Sequence, residues 1–110
     1  MQTIIEAAWL NRELLKDKKT LNTINEVIEL LDKGQLRVAE PKADGTWQVN
    51  DWVKKAVILY FPTRKMSTME VGPFEYHDKM ALKLNYAALG VRVVPPAVAR
   101  FGAYLANGVI

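Results

Sequence analysis

The stretch Val91-Arg92-Val93-Val94-Pro95-Pro96-Ala97-Val98-Ala99-Arg100-Phe101-Gly102-Ala103-Tyr104-Leu105-Ala106-Asn107-Gly108-Val109-Ile110 decides the fold. Its opening is extended, because two successive prolines cannot continue a helix. Beyond them Val98, Tyr104 and Ile110 stand six residues apart, with Ala97, Ala99, Gly102, Ala103, Ala106 and Gly108 filling much of the rest. A six-residue period with small fillers is how a parallel β-helix coil begins. Such a coil buries its inward residues only by stacking on further coils, and the sequence ends at Ile110. The expectation is a piece of a longer protein.

Upstream of the tail the period is helical. Ile4, Ile5, Ala8, Leu10, Leu14 and Leu15 predict a helix from Thr3 to about Leu15, with Trp9 beside them. Thr3 and Glu6 make a capping-box pattern at its start. Lys16-Asp17-Lys18-Lys19 reads as a solvated connection. Ile24, Val27, Ile28 and Leu31 form the stripe of a second helix, capped by Thr20 or Asn22 and stopped by Lys33-Gly34. The period then becomes two-fold. Leu36–Val49 reads as a hairpin turning at Asp44-Gly45. A third helix follows Asn50 or Asp51 and ends before Pro62. Pro62–Gly72 has no clear period and reads as a mobile surface loop. Pro73–Lys79 reads as a short strand or extended arm, and Met80–Leu89 as a weak helix closed by Gly90. The fold class is therefore α+β. A small helical domain with a β-hairpin (residues 1–90) leads into the first coil of a β-helix (residues 91–110) that is mostly absent from the chain.

Composition narrows the function classes. The 110 residues are half hydrophobic and one quarter charged, an ordinary globular balance. The net charge of +3 is scattered among acids, so a nucleic-acid surface is not supported. With no cysteine, disulfides, zinc–cysteine sites and thiol catalysis are excluded. No apolar run approaches the roughly 20 residues a membrane span needs. Met1–Glu6 lacks a signal-type core, and the expected location is cytoplasmic.

Few residues carry chemistry by themselves. His77 is the single histidine, so multi-histidine metal sites are ruled out within one chain. His77-Asp78 contains a base and a carboxylate, but adjacent residues seldom face each other, and a surface or hydrogen-bonded role outweighs catalysis. Arg92 lies in an extended segment flanked by Val91, Val93 and Val94, neighbours expected to face a core. Such an arginine either pairs with an acid or offers its fork to an anionic ligand, and spacing alone favours the ion pair. Lys54-Lys55 reads as a solvated helix face, Trp9, Trp47 and Trp52 as core, and Met66, Met69 and Met80 as gap-fillers or loop residues.

Several unbroken runs resemble one family, the tetrahydrodipicolinate N-succinyltransferases of bacterial lysine and diaminopimelate synthesis. They are Leu30-Leu31-Asp32-Lys33-Gly34-Gln35-Leu36-Arg37-Val38-Ala39-Glu40, Gly45-Thr46-Trp47, Trp52–Leu59, Tyr76-His77-Asp78-Lys79 and Val91–Tyr104. The resemblance implies a mostly helical N-terminal domain before a left-handed parallel β-helix of hexapeptide repeats that assembles as a homotrimer. It implies transfer of succinyl from succinyl-CoA, a co-substrate, to the amino group of the ring-opened dicarboxylate. No bound cofactor, no metal and no covalent acyl-enzyme are expected, so catalysis rests on approximation and polar stabilisation. It also turns Arg92 into a substrate-binding residue, while no catalytic residue is assigned within the chain. The CoA groove and the other catalytic groups would lie beyond Ile110, so the chain alone is expected to be inactive. The family's usual proline near Met80-Ala81-Leu82 is missing, and the piece between Lys83 and Gly90 is shorter. The alternatives are a related hexapeptide-repeat acetyltransferase and a non-enzymatic module that docks through its apolar tail.

Overall fold

The computed structural model describes residues 1–110. Three helices build its body: α1 (Gln2–Leu10), α2 (Lys18–Asp32) and α3 (Asp51–Tyr60). On α2, Thr20, Thr23, Ile24, Val27 and Ile28 are buried, the three-and-four spacing that places side chains on one face. Ile5 and Ala8 of α1 and Val53, Ala56, Leu59 and Tyr60 of α3 close on that stripe, joined by Met80. The two threonines enter without an orphaned hydroxyl. Thr23 Oγ1 donates to the Lys19 carbonyl at 2.9 Å and Thr20 Oγ1 to Asp17 Oδ2 at 3.3 Å.

The helix starts differ from the sequence reading. α1 begins at Gln2, ahead of Thr3, with no side-chain cap, so the capping box does not form. It stops at Leu10, and Arg12–Lys16 tightens into a 3-10 turn because Asn11 accepts from the Glu13 N–H at 3.2 Å. α2 begins at Lys18, so Thr20 and Asn22 lie inside it and Lys18 and Lys19 are not connection. Burial of Thr20 and Thr23 on the core stripe draws the helix back to Asp17.

Glycine ends α2 as the sequence predicts. Gly34 takes φ +72°, its N–H donates to the Leu31 carbonyl (3.0 Å), and the Gln35 N–H reaches the Leu30 carbonyl (2.9 Å). That pair of bonds satisfies the helix's last carbonyls. A Cβ on Gly34 would sit 2.7 Å from the Tyr104 ring, so the tail packs directly on this turn. Gly34→Ala therefore meets both a left-handed backbone and an occupied space. It should lower stability by about 1–2 kcal/mol, the order of the left-handed penalty alone, read as an earlier urea midpoint. Adding Tyr104→Ala should recover only part of the loss.

The first hairpin pairs β1 (Ala39–Pro41) with β2 (Trp47–Val49), shorter than the expected Leu36–Val49. Its turn uses Gly45 at φ +85°, and Asp44 Oδ1 accepts from the Thr46 hydroxyl (2.6 Å) and N–H (2.9 Å). These bonds, the hydroxyl's foremost, hold the Asp44 carboxyl below the ordinary carboxylate range. Asn50 precedes α3 but does not cap it with its side chain. The Asn50 amide instead donates to the Arg37 carbonyl at 2.8 Å and closes the stem of the hairpin. Both strands are exposed, so Trp47, 66% exposed, is not a core residue. Trp9 and Trp52 do pack against the core.

Pro62–Gly72 is not a loop. After a 3-10 turn at Phe61–Thr63, β3 (Ser67–Val71) pairs in antiparallel register with β4 (Phe74–Asp78), Val71 opposite Phe74 across Gly72-Pro73. The expected helix over Met80–Leu89 shrinks to α4 (Tyr86–Leu89), entered through Asn85 at φ +66° and closed by Gly90 at φ +70°. Met80–Lys83 is drawn away into a ribbon. The Lys83 N–H donates to the Ala99 carbonyl (2.9 Å) and the Phe101 N–H to the Ala81 carbonyl (2.8 Å). From Gly90 the chain runs out and returns, since the Arg92 N–H meets the Val109 carbonyl (3.0 Å) and the Gly108 N–H the Gly90 carbonyl (2.8 Å). Helices with two small antiparallel sheets make the chain α+β.

Candidate functional site

Gly90 is the geometric origin of the site. Its left-handed turn ends α4, and Val91 directly after it is buried. Arg92, next in the chain, is exposed, and its N–H donates to the Val109 carbonyl at 3.0 Å. Its guanidinium takes part in none of the five ion pairs of the chain and in no side-chain hydrogen bond. The simple ion-pair reading of Arg92 is therefore not realised.

Arg92 lines a cavity of about 430 Å³ with ten hydrophobic residues, among them Val91, Val98, Leu105, Val109 and Ile110. It is the single charged residue on that wall. A guanidinium with five free N–H donors beside apolar surface suits a ligand with a carboxylate and a short aliphatic body. Of the six-residue positions, Val98 and Ile110 face this cavity, whereas Tyr104 lies against Gly34 with the Arg37 guanidinium 4.9 Å from its ring centroid.

His77 and Asp78 do not act together. Thr68 Oγ1 lies 2.9 Å from His77 Nδ1, the residue opposite it in the hairpin. Asp78 pairs instead with Arg100, at 2.8 Å. The Lys79 backbone N–H first, with Arg100 adding to it, holds the Asp78 carboxyl below its ordinary value. This is the hydrogen-bonded role expected of His77. Lys55 is only partly a solvated residue, since it pairs with Asp51 at 3.1 Å and lies 5.8 Å from the Trp9 ring centroid. Met80 fills the core, while Met66 and Met69 are exposed.

One polar group escaped the sequence reading. Lys83 is buried, and its Nζ donates to Asp32 Oδ1 at 2.7 Å and to the Asp32 carbonyl at 3.2 Å. The signal was an acid in the last turn of a helix, where the helix dipole disfavours negative charge.

Comparison with known proteins decides the family. A family model described as the N-terminal part of tetrahydrodipicolinate N-succinyltransferase matches residues 1–63, more than half the chain. The chain belongs to the tetrahydrodipicolinate N-succinyltransferase N-terminal family. Proteins named 2,3,4,5-tetrahydropyridine-2,6-dicarboxylate N-succinyltransferase share 42% identity with the whole chain, one from Delftia acidovorans over 120 residues and one from Coxiella burnetii over 118. A third, from Albidiferax ferrireducens, is also 42% identical. The chain spans 44% of the length of the Delftia relative and 43% of the Coxiella one. Within this succinyltransferase family member the matched residues 1–63 are the three-helix body and first hairpin, and Arg92 lies on the segment that follows. No helix is long and apolar enough to cross a membrane.

Proposed function

We propose that this chain is the N-terminal part of an enzyme that moves succinyl from succinyl-CoA to the amino group of ring-opened tetrahydrodipicolinate. Identity of 42% across the whole chain with relatives bearing that name carries the reading. The step belongs to lysine and diaminopimelate biosynthesis. The unpaired Arg92 guanidinium binds a carboxylate of the dicarboxylate through two parallel N–H···O bonds. The substrate amine attacks the thioester carbonyl, the C–S bond of the tetrahedral intermediate breaks, and the nitrogen's proton passes to the departing thiolate, leaving the amide and free CoA thiol. Holding amine and thioester together supplies much of the rate. No metal, bound cofactor or covalent acyl-enzyme takes part.

In this reading residues 1–90 are a structural domain, and residues 91–110 open a left-handed β-helix whose later coils hold the CoA groove and the acid–base groups. The return of the chain from Arg92 to Val109 supports it as the first turn of such a coil. The next coil would cover the apolar wall formed by Val98, Leu105 and Ile110. The working form is a cytoplasmic homotrimer.

Two measurements on the natural polypeptide test this. Its intact mass should exceed 12.4 kDa, and it should consume succinyl-CoA only when the dicarboxylate is present, faster than acetyl-CoA. A preference for acetyl-CoA would move the chain to a sister acetyltransferase. A mass of 12.4 kDa without turnover would leave a partner-binding module.

A further inference from the structure

Asp32 and Lys83 form the most buried ion pair of the chain, their side chains 17% and 3% exposed. Each group makes two hydrogen bonds. Asp32 Oδ1 accepts from Lys83 Nζ (2.7 Å) and from the Gly102 N–H (2.9 Å), while Lys83 Nζ also reaches the Asp32 carbonyl (3.2 Å). Removing two charges from water is costly, and well-packed apolar residues often serve stability as well or better. The best-attested gain from such a pair is a fixed register, so the position of the two tied segments is the property to examine.

One tied segment is the stem of the loop that carries Arg92. The Lys83 N–H bonds the Ala99 carbonyl and the Phe101 N–H bonds the Ala81 carbonyl, so residues 84–98 form an excursion closed at that ribbon. The other segment begins at Gly102. It leads to Val109, whose carbonyl holds the Arg92 N–H, and to Gly108, whose N–H bonds the Gly90 carbonyl. Gly102 has no slack, since a Cβ there would lie 3.2 Å from Ile28 Cγ2 of α2. Both routes to the Arg92 backbone thus start at one carboxylate on the end of α2.

We propose that Asp32 and Lys83 are positioning residues that set where the Arg92 guanidinium stands relative to the rest of the site. The inference rests on the reading of Arg92 as the substrate's carboxylate ligand. Asp32→Asn keeps an acceptor for Gly102 but leaves the Lys83 ammonium without its carboxylate. Lys83→Met keeps the Gly102 bond and the ribbon's backbone bonds but removes the ammonium tie between that ribbon and α2. In the natural full-length protein each should raise the dicarboxylate KM about tenfold, within the coupling range of residues sharing one network. The succinyl-CoA KM should stay unchanged. The double variant Asp32→Leu/Lys83→Met removes both buried charges. It should recover the thermal midpoint while the dicarboxylate KM stays raised, a split that a merely structural pair would not give. In an Arg92→Ala background Asp32→Asn should add little to the defect. The proposal is overturned if the single variants leave the dicarboxylate KM within twofold, if the double variant recovers KM together with the midpoint, or if the Asp32 and Arg92 effects simply multiply. An Arg92→Ala variant that binds dicarboxylate normally would instead overturn the reading of Arg92, whatever Asp32 does.

Discussion

Arg92→Ala in the natural full-length protein should lower kcat/KM for the dicarboxylate about 100-fold while leaving the thermal midpoint where it was. A tenfold change corresponds to about 1.4 kcal/mol, so the expected loss is about 2.7 kcal/mol, within the range for truncating one partner of a charged, hydrogen-bonded pair. Stability should not move, because the guanidinium is exposed and touches no acid and no carbonyl in the fold. What holds the backbone there, the N–H of Arg92 on the Val109 carbonyl, survives the substitution. Arg92→Lys should recover only part of the activity, since an ammonium is a point charge without the planar fork. Kinetics with each substrate varied in turn would check this. A fall in midpoint with kcat/KM unchanged would return Arg92 to a structural role.

The same residue shows how far the sequence alone could be read. Its extended setting was legible, because Gly90 stops α4 and Pro95-Pro96 forbid helix. Whether an acid met its side chain was not, since that depends on segments far apart in the chain. The three helices were legible in type because each buries one stripe, Ile24, Val27 and Ile28 on α2 being the plainest. The starts of α1 and α2 were not, since α1 opens at Gln2 without a side-chain cap and burial of Thr20 and Thr23 carries α2 back to Lys18. By contrast, α3 starts at Asp51 as the sequence predicts. The second hairpin did leave a trace. Ser67, Met69 and Val71 alternate with Thr68 and Glu70 before a Gly72-Pro73 step, a two-fold period and a turn dipeptide. Neighbouring Arg64, Lys65 and Met66 hid it. The Met80–Leu89 segment misled for the opposite reason. Its helical spacing was real, but Lys83 is committed to Asp32 on α2, and that long-range bond pulls Met80–Lys83 into the ribbon. Asp32 was the clue, a local rule broken at a helix end, and such breaks tend to mark special sites.

Two hydrophobic positions that a sequence reader would treat alike should differ strongly in stability. Leu59 lies on α3 with no exposed surface, against the Ile24–Val27–Ile28 stripe and Ile5. Truncation removes its apolar contacts and leaves a hole between three helices, a change that costs about 3–4 kcal/mol in well-packed cores. The chain buries 14 of 110 residues, so few other side chains can take up the loss. Against a typical total of about 5–15 kcal/mol, Leu59→Ala should shift the urea midpoint far enough to leave a measurable unfolded population in buffer. Trp47 is larger, yet it stands 66% exposed on β2 with Pro41 opposite. Trp47→Ala should change stability by less than about 0.5 kcal/mol, as surface substitutions do. Measured in the same protein, a Trp47→Ala loss equal to that of Leu59→Ala would mean that the first hairpin packs its apolar face on something. Its partner would then lie outside these 110 residues, on the polypeptide's own continuation or on another subunit. A small Trp47→Ala effect beside a large Leu59→Ala one places the folding energy in the three-helix body, with the hairpins carried on it.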